Sequence, residues 1–282
     1  MDYDILICKG MIYMIKLIVM DMDGTLLNSN QEITSYTKEV LMSWQDKGVG
    51  IVLASGRDIK SLKEYGEMLH ISEHSQSGYI CLNGLMICNS LGEPIYKHNG
   101  LTYDESIVLE ALAKKYAMDI IFFFGDNLFI IEYGYTGIME QHFVSFRKHK
   151  VQRVQEIPQK YFHSLRKVAF VQKEDIVNKV IVSLQDDVKN QFDLCRVESD
   201  WIEINPYKVN KGNALKQYAD IKGIPLEDVL AFGNGENDIE MLKVAGKGIA
   251  MDNSFDSVKK IADDICGSCN FDGIGKYLKN DK

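Results

Sequence analysis

The sequence has no excess of basic residues, and this absence argues against one broad class of function. Its 282 residues include 32 Lys and Arg against 40 Asp and Glu, which gives a formal net charge of -8. A surface that binds nucleic acid normally carries a basic excess, so we expect no nucleic-acid partner. An anionic substrate would therefore need a local positive site.

Long apolar runs and a cysteine framework are also missing. Lys16 interrupts the apolar stretch MIYMIKLIVM, and no segment reaches the roughly 20 apolar residues that span a bilayer. The first residues lack the basic start and the cleavage site of a secretory signal. We interpret the six scattered cysteines as reduced and mostly buried, because a chain of this length needs no disulfide framework. These absences predict a cytoplasmic protein with no membrane partner.

Buried strands and amphipathic helices alternate near both ends of the chain. The predicted strands are KLIVMD, GVGIVLAS, DVLAFG and GKGIAM, and the predicted helices cover 32–47, 58–69, 211–222 and 236–245. Continuous Ile, Val and Leu runs between helices indicate parallel strands that are covered on both faces. We therefore expect an α/β fold in which residues 14–90 and 206–282 form one core domain.

The pattern changes between residues 91 and 205, which we interpret as an inserted second domain. The segments IIFFF and NLFIIEY flank a Gly-Asp-Asn connection, which is typical of an antiparallel hairpin. Helices are predicted near 104–117, 135–148 and 174–187. The run Phe122, Phe123 and Phe124 is predicted to be domain core rather than a stacking platform for substrate.

Two smaller features receive no functional assignment. The basic stretch FRKHKVQR at 146–153 is predicted to be a solvated helix end or loop, with attraction of phosphate as the alternative. Residues 1–13 precede the first core strand and are treated as an N-terminal extension.

Two carboxylates lie two residues apart at the end of the first predicted core strand. In VMDMDGTLLN, Asp21 and Asp23 follow an apolar run and precede Gly24. Two ionised carboxylates this close repel each other unless a cation or a shared proton offsets the repulsion. Mg²⁺ takes oxygen ligands and usually binds one or two carboxylates together with substrate phosphate. The pair therefore suggests a magnesium site, and a helix cap or an Asx-turn is the alternative for one of the two residues.

Three further polar clusters follow or precede predicted elements at the same edge of the sheet. They are Ser55 in ASGR, Lys211 in VNKGNAL, and Asn234, Asn237 and Asp238 in GNGENDIEML. In open parallel sheets, ligands bind outside the carboxyl ends of the strands. Taken singly, Ser55 could be an N-cap, Lys211 a solvated lysine and the last cluster a Gly/Asn turn. Their joint position favours a ligand site.

These motifs also carry a family resemblance. DMDGTLL, ASGR, KG and GNGENDIEML, in this order, resemble the four motifs of the haloacid dehalogenase superfamily of phosphatases. The long insert between CLNG and VNKGNAL, and the tail ADDICGSCNFDGIGKYL, resemble the Cof-type subfamily, in which an α/β cap lies between the second and third motifs. The resemblance covers the chain from Met14 onward. It implies a Rossmann-like parallel-sheet core with an inserted α+β cap domain.

The resemblance implies a Mg²⁺-dependent hydrolase of small phosphomonoesters such as sugar, nucleotide or cofactor phosphates. Asp21 would be the nucleophile that takes the phosphoryl group as an aspartyl-phosphate. Asp23 would act as general acid and then as general base. Ser55 and Lys211 would hold the phosphoryl oxygens. The remaining implied positions around phosphate or substrate are Gly24, Gly56, Asn83 and Asn237, although a simple hairpin turn also explains Asn83.

The implied metal ligands include one departure from the family. The Asp21 side chain, the Asp23 carbonyl and the loop with Asn234 and Asp238 would bind Mg²⁺. The family's fourth motif usually begins Gly-Asp, whereas this chain has Asn234 at the second position. An amide oxygen is a neutral and weaker ligand than a carboxylate, so we expect looser metal binding with activity retained.

Two other functions remain open from the sequence. A phosphomutase would use the same chemistry but return the phosphoryl group to its substrate. A receiver or phospho-ligand-binding module would also combine acids, a hydroxyl and a lysine around Mg²⁺, but it would need neither Asp23 nor a large insert. CGSC at 266–269 has CxxC spacing without a second pair, and we assign it no redox or zinc role. The oligomeric state is left open.

Overall fold

The structure is a computed structural model and describes residues 5–8, 11–125, 127–134 and 150–280. The helix predicted at 135–148, Asp126 of the predicted turn and the first part of the basic stretch lie outside the described residues. Within the N-terminal extension, β1 (Ile5–Cys8) pairs with β2 (Met11–Met14) as a small antiparallel hairpin.

The chain divides into two compact units, residues 1–98 with 210–282 and residues 99–209. The boundaries lie a few residues after those expected at 90/91 and 205/206. At the first boundary the reason is β7 (Pro94–Lys97), a strand that pairs antiparallel with β6 (Met86–Cys88) in the sheet of the first unit.

An eight-stranded sheet forms the centre of the first unit. Its strands, besides β6 and β7, are β3 (Leu17–Asp21), β4 (Gly50–Ala54), β5 (Gly78–Cys81), β14 (Val229–Gly233), β15 (Lys247–Met251) and β16 (Asp264–Cys266). Their order is β16-β15-β14-β3-β4-β5-β6-β7, and all neighbours from β16 to β5 run parallel. The predicted α/β core with a parallel sheet is confirmed.

Helices cover both faces of this sheet. They are α1 (Ser35–Gln45), α2 (Ile59–Met68), α5 (Lys211–Lys222), α6 (Ile239–Val244), α7 (Asp256–Ile261) and α8 (Gly273–Lys279). Alternate residues of a strand point to opposite faces. Ile18 and Met20 of β3 accordingly belong to the cluster that includes residues of α1, α2 and α8, whereas Leu17 and Val19 belong to the cluster that includes residues of α5, α6 and α7.

Side-chain caps set where the helices near the site begin. The Thr34 hydroxyl accepts from the Thr37 N–H at 3.2 Å, so α1 begins after the start of the predicted helix 32–47. Asp58 accepts from the Ser61 N–H at 3.0 Å and caps α2. The predicted helix 236–245 is instead a 3-10 turn over 236–238 followed by α6.

The second unit is an α+β domain built on a six-stranded sheet. Its strands are β8 (Asp119–Phe124), β9 (Asn127–Ile131), β10 (Lys150–Arg153), β11 (Lys167–Val171), β12 (Phe192–Glu198) and β13 (Trp201–Pro206), and its described helices are α3 (Tyr103–Lys115) and α4 (Glu174–Val188). Their order is β10-β9-β8-β11-β13-β12, with β8 and β9 forming the predicted antiparallel hairpin.

The aromatic run of β8 lies in two different places. Phe122 and Phe124 are buried in the cluster shared with α3 and α4, as predicted. Phe123 is half-buried on the opposite face, where its ring packs edge-on against Trp201 at 6.4 Å between centroids.

Cysteine chemistry and apolar helix length add two observations. Cys81, Cys88, Cys195, Cys266 and Cys269 form no disulfide in this structure, and three of these five, Cys81, Cys88 and Cys266, are buried. Throughout the described ranges, no helix combines the length and the apolar content that crossing a membrane would require.

Candidate active site

The site lies at the carboxyl ends of four neighbouring strands. β14, β3, β4 and β5 are consecutive in the sheet order. Asp21 ends β3, Asn234 follows β14, Ser55 follows β4, and Asn83 follows β5 by two residues. Parallel pairing brings these strand ends to one edge, where ligands of open α/β sheets bind.

Lys211 links two carboxylates inside this edge. Its Nζ donates to Asp21 Oδ1 at 2.5 Å and to Asp238 Oδ1 at 2.7 Å. Lys211 and Asp238 have no exposed surface, and Asp21 is only 7% exposed. Asn210 caps the helix that starts at Lys211 by accepting from the Asn213 N–H at 2.8 Å, so the helix start fixes where the lysine stem begins. Lys211 is therefore a buried cation, and the surface-lysine alternative is wrong.

The pKa values of Asp21 and Lys211 are both raised in this cluster. Burial raises the pKa of Asp21 to about 7, and the charge of Asp238 adds to this rise, while Lys211 opposes it. Burial alone would lower the pKa of Lys211, but the two carboxylates outweigh burial and raise that pKa above its ordinary value. Two carboxylates around one ammonium leave a net negative charge, which a further cation would offset.

Asp238 organises the loop that follows β14. Its Oδ2 accepts from the backbone N–H groups of Asn234 and Gly235, both at 2.9 Å. Together with the Lys211 contact, both carboxylate oxygens already accept hydrogen bonds. Asp238 therefore orients the Asn234 loop in this structure, whereas the sequence suggested that it would also bind metal.

Asn234 lies where a metal ligand was expected from the sequence. One terminal atom of its amide lies 2.6 Å from Thr25 Oγ1, 2.9 Å from the Asp23 carbonyl oxygen and 3.2 Å from Asp21 Oδ2. The amide can take two orientations that exchange its oxygen and nitrogen. With the nitrogen at this position, it donates to all three oxygens. With the oxygen there, it accepts from the Thr25 hydroxyl and faces the other two oxygens.

The second orientation provides a donor set that fits Mg²⁺. Asp21 Oδ2, the Asp23 carbonyl and Asn234 Oδ1 are hard oxygen donors, as this ion prefers. Neighbouring ligands of an octahedral Mg²⁺ are about 3 Å apart, given metal–oxygen distances near 2.1 Å. The distances of 2.9 and 3.2 Å from the Asn234 atom agree with that spacing. Within the described residues, no group of three or more His, Cys, Asp or Glu side chains could hold a metal ion, so a site here depends on the carbonyl and the amide.

Gly24 makes room for Asn234. Its φ of +76° lies in the left-handed region, and a Cβ built there would lie 2.8 Å from Asn234 Nδ2. Any other residue at this position would be destabilised in two ways, by the cost of a left-handed backbone and by the close contact of its Cβ with Asn234. The Asn253 side-chain amide donates a hydrogen bond to the Gly24 carbonyl at 2.7 Å and so helps to hold the backbone in this conformation.

Ser55 and Asn83 form a second part of the site, and Ser55 is not a helix N-cap, since Asp58 has that role. The Asn83 N–H donates to the Ser55 carbonyl at 2.9 Å. Leu82, Asn83 and Gly84 all have positive φ, which is costly for Leu82 and often marks a functional loop. Both Ser55 and Asn83 are buried.

The Asn83 side chain approaches two other residues expected at the site. Its Oδ1 accepts from Asn237 Nδ2 at 3.4 Å. A Cβ on Gly56 would lie 3.3 Å from Asn83 Nδ2, so the absence of a side chain at Gly56 leaves space for this amide. Asn83 does lie in the turn that joins the antiparallel strands β5 and β6, as the hairpin-turn alternative has it, and its side chain makes these contacts in addition.

The backbone carbonyl and the side-chain carboxylate of Asp23 contact different residues. Its carbonyl faces Asn234, whereas its half-exposed carboxylate forms a two-point ion pair with Arg57. No role was predicted from the sequence for Arg57, although it belongs to ASGR, or for Gln31 and Tyr65, which accept hydrogen bonds from the Arg57 guanidinium. The one sequence signal for Arg57 was its position two residues after Ser55 in the ASGR motif. Gln31 had no such signal, because it lies in an ordinary polar loop.

Comparisons with known proteins identify the family of this chain. A sequence model of the haloacid dehalogenase-like hydrolase family matches residues 18–278. The 5-amino-6-(5-phospho-D-ribitylamino)uracil phosphatase YcsE of Bacillus subtilis is 30% identical, over 94% of this chain and 95% of its own. An HMP-PP phosphatase of Yersinia pseudotuberculosis is 28% identical, over 94% of each chain.

A solved structure gives the same result. BT1666 from Bacteroides thetaiotaomicron, described among phosphatases of the same superfamily, superimposes with a TM-score of 0.78 at 25% identity and covers 94% of both chains. The expected fold class and enzyme class are confirmed. The chain belongs to the haloacid dehalogenase-like hydrolase family and is an enzyme of the phosphatase class.

Proposed function

We propose that this enzyme is a Mg²⁺-dependent phosphatase that hydrolyses small phosphomonoesters through an aspartyl-phosphate on Asp21. The observation that carries the proposal is the division of the Asp21 carboxylate between two partners. Oδ1 binds the buried ammonium of Lys211, and Oδ2 lies 3.2 Å from the Asn234 amide atom that is also 2.9 Å from the Asp23 carbonyl oxygen. A carboxylate held in this way at a strand end is suited to nucleophilic attack on phosphorus.

The proposed metal ligands are the Asp21 carboxylate, the Asp23 carbonyl and the Asn234 amide oxygen. Mg²⁺ bound there would supply positive charge to the transferring phosphoryl group. Asp238 shapes the loop in this proposal, which narrows the ligand set expected from the sequence. Haloacid dehalogenase-type phosphatases generally use Mg²⁺, which supports this choice of ion.

The proposed reaction has two steps, and the remaining site residues each act in one or both of them. In the first, an Asp21 oxygen bonds to phosphorus while the ester P–O bond breaks, and Asp23 protonates the leaving oxygen. In the second, a water oxygen bonds to phosphorus as the Asp21 P–O bond breaks, and Asp23 takes a proton from that water. Lys211, Ser55 and the loop around Asn83 hold the phosphoryl oxygens.

The proposed substrates are small phosphorylated metabolites, and the proposed location is the cytoplasm. The two curated relatives are named for phosphorylated or diphosphorylated small molecules, which supports this substrate class. The test is a panel of sugar, nucleotide and cofactor phosphates, including 5-amino-6-(5-phospho-D-ribitylamino)uracil, assayed with Mg²⁺ for phosphate release. Conversion of a substrate to its isomer without phosphate release would indicate a phosphomutase. Binding without either reaction would indicate a phospho-ligand-binding module.

Replacing Asn234 with Asp is expected to tighten Mg²⁺ binding. A new carboxylate within a few ångströms of the ion adds attraction, partly offset by repulsion from Asp21. We expect the Mg²⁺ concentration for half-maximal activity to fall about tenfold, equivalent to about 1.4 kcal/mol. Without Mg²⁺, the variant should melt at a lower temperature, because a carboxylate would replace the amide nitrogen that donates to neighbouring oxygens.

Asn190→Asp provides the matched control for this change, since it adds the same charge at an exposed position of the second unit. Its Mg²⁺ titration and melting temperature should equal those of the wild type. An unchanged or weakened metal requirement in Asn234→Asp would mean that Asn234 is not a metal ligand.

Asp23→Asn is expected to affect substrates according to their leaving groups. An aryl phosphate releases a stable phenolate and needs little protonation, whereas an alkyl phosphate needs an acid. We expect kcat/KM, which reports the first step, to fall about a hundredfold for the alkyl ester and by less than about fivefold for the aryl ester. Equal losses for the two esters would contradict the acid role.

A further inference from the structure

Arg57 holds the Asp23 carboxylate at two points. Its Nε donates to Asp23 Oδ2 at 3.0 Å, and its Nη2 donates to Asp23 Oδ1 at 2.5 Å. A paired guanidinium and carboxylate share one plane, so this contact fixes the direction of the carboxylate as well as its charge. Each Asp23 oxygen keeps a second lone pair that a proton can use.

Arg57 is itself held from the side away from Asp23. Its Nη2 also donates to Gln31 Oε1 at 2.5 Å, and its guanidinium carbon lies 5.6 Å from the centre of the Tyr65 ring. The Tyr65 hydroxyl contacts the Gln31 carbonyl at 3.4 Å. Gln31 adopts a φ of +62°, which a residue with a side chain rarely takes. The loop thus keeps a strained conformation in which Gln31 contacts Arg57.

The backbone of Arg57 is fixed to both neighbouring loops of the site. Its N–H donates to Ser55 Oγ at 3.2 Å, and its carbonyl accepts from the Leu82 N–H at 3.0 Å. Its side chain is about a quarter exposed, against half for Asp23. A mobile surface arginine would lack this set of contacts, since exposed ion pairs seldom hold one geometry.

We propose that Arg57 is a positioning residue that acts through Asp23, by directing the carboxyl group toward the oxygen that leaves phosphorus. This inference rests on the proposed function. Nε and Nη2 of Arg57 donate to Asp23, and Nη2 also donates to Gln31. Nη1 donates to the Tyr65 hydroxyl at 3.5 Å, so three neighbours hold the guanidinium in the orientation that directs Asp23. Lysine at this position would keep the charge but would offer no planar two-point contact.

The test compares Arg57→Ala and Arg57→Lys on an alkyl and an aryl phosphate, alone and combined with Asp23→Asn. For Arg57→Ala we expect kcat/KM to fall at least about tenfold for the alkyl ester and by less than about threefold for the aryl ester, because misdirected acid catalysis matters only for the poor leaving group. In the Asp23→Asn background the same substitution should cause no further loss. Arg57→Lys should recover only part of the alkyl-ester activity.

Lys63→Met is the matched control, because it removes an exposed cation from α2, the helix that begins two residues after Arg57, and is expected to leave both esters unaffected. Equal losses for the two esters, additive losses in the Asp23→Asn background, or full recovery by lysine would each overturn the inference. Melting curves establish that Arg57→Lys and Arg57→Ala are folded under assay conditions. A wild-type enzyme that releases no phosphate would instead count against the proposed function itself.

Discussion

Asp21→Asn is expected to reduce phosphate release by a factor of about 10⁴ or more, the scale seen when a covalent nucleophile is removed. The amide is nearly the same size as the carboxylate, so the variant should fold. It is a poor nucleophile, however, and it carries no charge to attract Mg²⁺ or to pair with Lys211, which donates to Asp21 Oδ1 in the wild type. The measurement is phosphate release at saturating substrate and Mg²⁺.

Asp46→Asn is the matched control for that substitution. Asp46 is exposed at the end of α1, so the same exchange of carboxylate for amide there should leave turnover unchanged. Release near the wild-type rate by Asp21→Asn would remove Asp21 from the mechanism.

Lys211→Met is expected to have the second largest effect, on stability as well as on activity. Methionine fills similar apolar volume but leaves Asp21 and Asp238 as two buried carboxylates without their shared cation. Removing one partner of a buried ion pair typically costs about 3–5 kcal/mol of unfolding free energy. Because Mg²⁺ would bind beside Asp21, adding it should recover part of this loss. Activity should stay low even then, since the phosphoryl oxygens would lack the ammonium.

Urea denaturation with and without Mg²⁺ measures the stability effect. Lys216→Met, an exposed position on the same helix, serves as the control and should change the unfolding free energy little. A Lys211→Met protein within about 1 kcal/mol of the wild type would contradict the view that Lys211 stabilises the two buried carboxylates.

The sequence predicted which residues would meet because a parallel sheet leaves little freedom in where its strand ends lie. The apolar runs before Asp21, Ser55 and Asn234 indicated buried strands of one sheet, and the structure has them as the neighbouring strands β3, β4 and β14. Their side chains therefore had to lie at one edge. The helix at 211–222 was also predicted within its observed bounds, since Asn210 and Gly223 are ordinary cap residues.

Other features depend on contacts between distant residues and could not be predicted. The ion pair between Asp23 and Arg57 joins two loops that follow different strands. The sequence suggested Asp238 as a metal ligand, and nothing in it indicated that Lys211 and two backbone N–H groups would contact its oxygens. The left-handed backbone conformation of Leu82 could not be predicted from its residue type, because leucine rarely adopts that conformation.

Short elements formed a second group that the sequence did not predict. β6 has three residues and β7 has four, too few for a pattern of alternation to be read. β7 also begins at Pro94, which is tolerated because β7 is the edge strand of the sheet. The expected boundary at 90/91 therefore lies before β7 begins, whereas the compact unit extends to residue 98.

The most direct test of the central claim is a search for the phosphoryl group on Asp21. Asp23→Asn is mixed with an aryl phosphate and Mg²⁺ and then quenched rapidly in acid, because the first step with this ester needs little acid catalysis while the second step lacks its base. Peptide mass spectrometry should find a phosphoryl adduct on the peptide containing Asp21, with none in Asp21→Asn/Asp23→Asn. Phosphate release by Asp23→Asn with no such adduct at any quench time, or with the adduct on another residue, would contradict the proposed mechanism.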